Sequence, residues 1–140
     1  MHNGKFGCAL WGCGWVAGGH INAYLKNPNC ELIGLGSRRS ESVQAKIAEF
    51  GLGGITIYPR FEDLLNDSRV DIVSICTPND LHAEEAILAA KAGKQIFLEK
   101  PAAISEAQLD QLTAVLKEYH TKTVMGMVLR FNPLSRMQKR

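Results

Sequence analysis

Short apolar runs alternate with amphipathic stretches along most of the chain. Lys5 to Trp11 reads as a strand that ends in glycines. From Trp15 to Lys26, the residues Ala17, Ile21, Tyr24 and Leu25 recur at i, i+4, i+7 and i+8, the spacing of a helix with one buried face. Asn27-Pro28-Asn29 stops it. Glu31 to Gly36 is a second strand, and Ser40 to Phe50 is a second helix with Val43, Ile47 and Phe50 on one side. Gly51, Gly53 and Gly54 end that helix. Ile55 to Tyr58 predicts a short strand, and Phe61 to Asn66 predicts a brief helix. Val70 to Cys76 is nearly continuous in apolar residues, as a strand covered on both faces would be. Asp80 to Ala92 predicts a helix with Ala83, Ala86, Ile87 and Ala90 inward and Gly93 past its end. Gln95 to Glu99 is a strand. Ser105 to His120 is a helix whose Ser105 and Gln108 match a capping box, and Leu109, Leu112, Leu116 and Tyr119 form its expected buried side. Lys122 to Val128 is the last strand. After Leu129, Arg130-Phe131-Asn132-Pro133 breaks the pattern, and Leu134 to Arg140 resembles the start of a helix.

Strands that alternate with helices imply right-handed crossovers and an α/β fold: a doubly wound parallel sheet in three layers, with helices on both faces. Composition narrows the picture. A chain of 140 residues fits one domain, and 46% hydrophobic with 21% charged residues describes a globular chain. Sixteen basic residues against fourteen acidic ones leave a net charge of +2, too even to point to nucleic acid or an anionic membrane. No apolar run approaches the roughly eighteen residues of a membrane span. Lys5 is not followed by a long apolar core and a small-residue cleavage site, so no signal peptide is expected. Cys8, Cys13, Cys30 and Cys76 form no C-x-x-C pair, and His20 and His82 complete no zinc pattern, so no metal is expected. Cys8, Cys13 and Cys76 lie in or beside apolar runs and read as buried free thiols of a cytoplasmic protein.

The sharpest motif is Gly12-Cys13-Gly14-Trp15-Val16-Ala17, a G-x-G-x-x-A between the first strand and the first helix. Gly12 allows the tight turn, Gly14 lets the backbone approach a pyrophosphate, and Ala17 lets the helix pack closely on the strand. The helix N-terminus then turns free N–H groups and a partial positive charge toward phosphate. The motif follows a strand and opens a helix, the context of a Rossmann-type dinucleotide site. A Walker A loop is excluded, because no Gly-Lys-Ser/Thr follows.

The end of the second strand distinguishes the cofactors. An NAD site usually places Asp or Glu there, on the ribose hydroxyls. This chain has Gly36-Ser37-Arg38-Arg39, while Glu31 sits at the wrong end of the strand. A hydroxyl followed by two guanidinium groups suits a 2′-phosphate, so NADP(H) is preferred over NAD(H). Two other readings stay open: Arg38 and Arg39 as solvated loop charges with NAD held through backbone contacts, and dual use.

Ligands of such sheets bind beyond the carboxyl ends of the strands. Thr77-Pro78-Asn79-Asp80-Leu81-His82 and Glu99-Lys100-Pro101 lie at such ends. With Gly12-Cys13-Gly14, Ala17 and His20, with Ala92-Gly93-Lys94, and with the segment from Gly126 to Pro133, they make a chain that resembles the Gfo/Idh/MocA oxidoreductases over essentially its whole length. The resemblance implies that Lys100 is the lysine near hydride transfer, that Glu99 lies near the nicotinamide ribose, with an electrostatic hold on Lys100 as a second expected role, and that Thr77, Pro78 and Asn79 line the nicotinamide half. An ammonium at Lys100 would bond a substrate hydroxyl or carbonyl oxygen and stabilise charge or relay a proton. Pro101 fixes the turn, with a cis bond as one option.

Other roles compete with these. His82 is a candidate cofactor contact, with a helix-start or packing role preferred over a catalytic one. His20 reads as structural. Asn79 caps the following helix, contacts the ligand, or does both. Trp11 and Trp15 flank the glycine turn, either shielding a cofactor or, the preferred reading, packing in the core or covering a loop.

The resemblance also implies a second, substrate-binding domain after this one, expected to follow residues 1–129, with 130–140 as the start of the connection. The expected activity is hydride transfer between nicotinamide and a sugar, polyol or related hydroxy/keto compound, in an intact protein that is a homo-oligomer. The 140-residue chain alone is expected to turn over little or nothing. The alternatives are a dinucleotide-binding sensor or regulator without catalysis, and an unrelated doubly wound ligand-binding protein.

Overall fold

A computed structural model describes residues 4–131, except the side chains of Leu129 and Phe131. Six strands alternate with helices: β1 (Phe6–Trp11), α1 (Ala17–Lys26), β2 (Cys30–Gly36), α2 (Ser40–Phe50), β3 (Thr56–Tyr58), α3 (Phe61–Asn66), β4 (Ile72–Ile75), α4 (His82–Lys91), β5 (Gln95–Leu98), α5 (Glu106–Glu118) and β6 (Thr123–Met125). A short 3₁₀ turn follows over Val128–Phe131. The strands form one parallel sheet in the order β3-β2-β1-β4-β5-β6. That order reverses between β1 and β4, so the chain leaves these neighbouring strands toward opposite sides and opens a crevice at their carboxyl ends. The expected doubly wound architecture is the one observed. The helix expected over Leu134 to Arg140 lies outside the described residues.

Successive side chains of a strand point to opposite faces, and the core divides accordingly. Leu10 and Leu35 point to one side, where Ala17, Ile21 and Val43 of α1 and α2 cover them. Ala9, Trp11, Val73, Ile75, Ile96 and Leu98 pack on the other side against α3, α4 and α5. Each fully buried Val, Leu or Ile removes enough apolar surface to be worth about 1.5–3 kcal/mol. Cys8, Cys13 and Cys76 are buried free thiols, as expected.

The structure corrects the edges and faces of several elements. Helix α1 begins at Ala17, because Trp15 and Val16 form the turn ahead of it. Leu25 is exposed. On α5, Leu109 and Tyr119 are exposed, and the inward face runs through Leu112, Val115 and Leu116. At 100° per residue these three give a contact stripe centred only about 30° from the one the leucine spacing predicts, with Leu112 and Leu116 common to both. The Ser105 Oγ does accept from the Gln108 N–H (3.2 Å). The Gln108 side chain, however, reaches the Ile104 N–H (3.1 Å) and not the N-cap residue, so the capping box is offset by one position.

One polar tie fixes the loop from α3 into β4. Asp67 accepts from the Tyr58 hydroxyl (2.7 Å), from the Arg69 guanidinium (2.6 Å) and from the Arg69 N–H (2.9 Å). The hydrogen bonds from Arg69 hold its carboxyl well below the usual carboxylate range. A carboxyl depressed on folding stabilises above its unfolded pKa and loses that contribution as pH falls toward its folded one. Asp67→Asn is therefore expected to lower Tm by a few degrees at neutral pH. It should also flatten the decline in Tm between about pH 5 and pH 2. Thermal melts across that range check both outcomes.

Candidate functional site

Strand register brings the site together. Trp11 pairs with Gly36 on one side and Ile75 on the other, Ile75 with Leu98, and Leu98 with Met125. The strands thus end in one row, and the residues just beyond it form a continuous rim: Gly12, Ser37, Cys76-Thr77, Glu99-Lys100 and Gly126. Main-chain bonds continue the row past the strands, from the Gly12 N–H to the Gly36 carbonyl (2.8 Å) and from the Cys76 N–H to the Trp11 carbonyl (2.8 Å).

Two adjoining clefts open on this rim. The first, of about 470 Å³, is lined by Gly12, Cys13, Gly14, Ser37, Arg38, Arg39, Ser42, Cys76, Thr77 and Pro78. The second, of about 590 Å³, is lined by Trp15, Val16, Gly19, Cys76, Thr77, Asn79, His82, Glu99, Lys100, Gly126 and Val128. Cys76 and Thr77 belong to both. All the candidate site residues read from the sequence border one cleft or the other. A further cavity of about 930 Å³ lies along β4–β6, away from the glycine turn, among residues such as Tyr24, Phe97 and Val124.

The glycine turn has the geometry its motif calls for. Gly12 has φ +95°, and a Cβ there would come within 2.6 Å of the Cys76 main chain. A Cβ on Gly14 would meet nothing within 4 Å, since that position faces the open cleft. None of the N–H groups of Cys13, Gly14, Trp15 and Val16 donates to a backbone carbonyl among the described residues. Unpartnered N–H groups at a helix start, facing open space over a bare glycine, fit a pyrophosphate. Cys13 contributes no thiol to the cleft. Its Sγ turns to the Gly36 carbonyl (3.6 Å), and burial pushes its pKa up to about 11. Ser37, Arg38 and Arg39 form the opposite wall, with the Ser37 Oγ held by the Arg39 N–H (3.4 Å).

The second cleft is ordered by two histidines. His82 is buried, and its Nδ1 and Nε2 lie 2.7 Å from the Pro101 carbonyl and 2.8 Å from the Thr77 carbonyl. It ties the β4 loop to the turn after Lys100, the packing role set beside cofactor contact above. The Lys100–Pro101 peptide is cis. His20 spans from Ser74 Oγ (3.1 Å at Nδ1) to Glu99 Oε1 (2.8 Å at Nε2), with its ring edge-on to Phe97. The Tyr24 hydroxyl bonds Ser74 Oγ in turn (2.6 Å). If Tyr24 donates to Ser74 and Ser74 donates to Nδ1, Nε2–H is left to donate to Glu99, and every group is satisfied.

The expected Glu99–Lys100 pairing is corrected. Glu99 pairs with His20, and no ion pair engages Lys100 among the described residues. Gly126 lies so close to the Glu99 carboxylate that a Cβ there would approach it to 2.6 Å. Trp11 is buried as preferred, but Trp15 is 96% exposed and borders the second cleft, which overturns the core or loop-cover reading for it. A glycine turn this tight holds the first residue of the helical turn away from the sheet.

Sequence reasoning missed Glu85. It lies buried on the apolar face of α4, with Oε1 accepting from Trp11 Nε1 (2.9 Å) and Oε2 accepting from Thr77 Oγ1. Its one sequence signal is a carboxylate directly before Ala86 and Ile87, both on the inward stripe. Ser74 and Tyr24 were also missed as polar partners, because both sit in positions that read as core.

The family described as oxidoreductases with an NAD-binding Rossmann fold, Gfo/Idh/MocA, matches residues 6–127. A 4-carboxy-2-hydroxymuconate-6-semialdehyde dehydrogenase of Sphingobium is 32% identical over 127 residues, covering 89% of this chain and 39% of that protein. The scyllo-inositol 2-dehydrogenase (NAD(+)) of Bacillus subtilis is 30% identical over 127 residues, 90% of this chain and 36% of its own. KijD10, a 3-ketoreductase from Actinomadura kijaniata crystallised with TDP-benzene and NADP, superposes with a TM-score of 0.84 at 27% identity, covering 96% of this chain and 42% of its own. The chain spans roughly a third of the length of the curated relatives it matches.

Proposed function

The chain belongs to the Gfo/Idh/MocA oxidoreductase family, and from that premise we propose that its first cleft takes NADP(H) in preference to NAD(H). We propose further that the second cleft is the hydride-transfer end, where Lys100 acts on the oxygen of a sugar, polyol or related hydroxy/keto substrate. One observation carries the reading. Strand register places the glycine turn, the Ser37-Arg38-Arg39 segment and Glu99-Lys100 on one rim, in two clefts joined through Thr77.

Bound nicotinamide would supply a hydride acceptor or donor. The protein's own residues do the rest. The N–H groups from Cys13 to Val16 hold pyrophosphate. Arg38 and Arg39 offer charge-assisted, bidentate bonds to a 2′-phosphate, which a ribose hydroxyl does not repay. His20 holds the Glu99 carboxylate in place. In the oxidising direction, the Lys100 amine takes the proton from the substrate hydroxyl as the carbon loses hydride; in reverse, the ammonium returns it. The relatives include an NAD(+)-dependent enzyme and an NADP complex, so cofactor choice rests on this chain's own basic segment.

The test is thermal protection. A ligand at a hundredfold excess over its Kd stabilises by about 2.7 kcal/mol, which for a domain of this size is a rise in Tm on the order of 5–10 °C. NADPH is expected to give that rise at a concentration where NADH gives little. Arg38→Ala with Arg39→Ala should reduce the NADPH shift to the NADH level. Stronger protection by NADH would overturn the NADP(H) assignment, and protection by neither would overturn dinucleotide binding.

A further inference from the structure

Glu85 is a charged group where packing asks for none. Its neighbours on the inward face of α4, Ala86, Ala89 and Ala90, are fully buried. Burial pushes its carboxyl pKa up, while the hydrogen bonds from Thr77 and Trp11 and the charges of His82 and Arg38 pull it back down. An apolar side chain would avoid that desolvation, so its partners deserve the question of what it holds.

One partner, Thr77, lines the first cleft; the other, Trp11, is buried beneath the residues that do. Thr77 borders both clefts. Trp11 is the last residue of β1, directly before Gly12. Its indole lies so close to Gly36 that a Cβ there would come within 2.5 Å of the ring. Gly36 directly precedes Ser37-Arg38-Arg39. One buried carboxylate therefore ties the end of β1 to the residue just past β4, and through the Trp11 indole it backs the end of β2.

We propose that Glu85 is a positioning residue for the dinucleotide: by fixing the Trp11 indole and the Thr77 hydroxyl, it sets the Ser37–Arg39 wall and the Thr77 loop at the spacing one ligand needs. The inference rests on the reading of the first cleft as a dinucleotide site. It does not require Glu85 to touch the ligand.

The experiment titrates NADPH against the wild type, Glu85→Gln, Glu85→Leu, Thr77→Val and Trp11→Phe, with Tm and the Trp11 indole N–H resonance (identified by its loss in Trp11→Phe) recorded alongside. Glutamine still accepts from the indole through its oxygen and donates to Thr77 Oγ1 through its amide. It is expected to bind NADPH within about threefold of wild type and to leave the indole resonance downfield. Leucine leaves a buried indole N–H unpaired and frees Thr77, so affinity should fall at least about tenfold, with the resonance moving upfield.

Thr77→Val removes one tie with little change in volume, and Trp11→Phe removes the other at a residue that lines neither cleft; both should weaken binding by about threefold or more, which keeps the test decisive even if Glu85→Leu does not fold. A Glu85→Leu protein that melts earlier yet binds NADPH as the wild type does would overturn the proposal, leaving Glu85 a stability residue. So would Glu85→Gln as weak as Glu85→Leu, or either Thr77→Val or Trp11→Phe with unchanged affinity. Wild type that binds no dinucleotide would instead overturn the cleft assignment itself, and this inference with it.

Discussion

Gly12→Ala is expected to abolish dinucleotide binding and to destabilise the fold by on the order of 3 kcal/mol. Two costs combine. At φ +95° an L side chain is strained whatever space surrounds it. Here there is no space either: the Cβ would lie 2.6 Å from the carbonyl carbon and oxygen of Cys76 and 2.7 Å from the Thr77 nitrogen. These are main-chain atoms of the neighbouring strand end and cannot rotate away. The backbone must shift, and through the bonds from Gly12 to Gly36 and from Cys76 to Trp11 the shift reaches three strand ends at once. Gly14→Ala is the contrasting case. Its Cβ would meet nothing within 4 Å, so the fold should keep its Tm while the methyl occupies the approach to the pyrophosphate. Calorimetry and NADPH titration of the two variants separate a residue needed for the turn from one needed for the ligand. Gly14→Ala with wild-type affinity would show that no pyrophosphate passes over that position.

The same contrast shows where the sequence was informative. Gly12, Gly14 and Ala17 announce a phosphate turn because each role is local: a φ, an open face, a helix packed on a strand. The alternation of strands and helices was equally legible, since periodicity is a property of neighbours in the chain. The pairings that order the site are not local. His20 meets Glu99 across 79 positions, and Trp11 meets Glu85 across 74. Residue types alone favoured the sequential Glu99–Lys100 pair. But successive residues past a strand end point different ways, and Glu99 turns back to a histidine on α1. The faces of α5 failed for a related reason. Leucine spacing defines a stripe, but which edge of that stripe turns inward depends on how the helix rolls against α4, which no window along the chain contains. Trp15 shows the opposite error: a large apolar residue defaults to the core in sequence reasoning, whereas a tight turn can hold one in solvent at the mouth of a cleft.

In any form of the protein that turns over the proposed sugar or polyol substrate, Lys100→Ala should lower the rate on the order of 10²–10⁴-fold, the range that a positioned acid–base group contributes. Its position supports so specific a loss. Lys100 is exposed at the cleft, engaged in no ion pair among the described residues, and follows a strand anchored by β4 on one side and β6 on the other. Removing an exposed side chain of this kind changes stability by no more than about 0.5 kcal/mol. The fold and the first cleft should therefore survive, with NADPH protection against heat close to that of the wild type. Lys100→Arg then separates two ways a cation can help. A guanidinium stabilises negative charge on the substrate oxygen but does not give up a proton at any ordinary pH. If Lys100 chiefly stabilises charge, arginine restores part of the rate; if it relays the proton, arginine is as slow as alanine. Turnover in Lys100→Ala within tenfold of the wild type, with cofactor binding intact, would remove Lys100 from the chemistry.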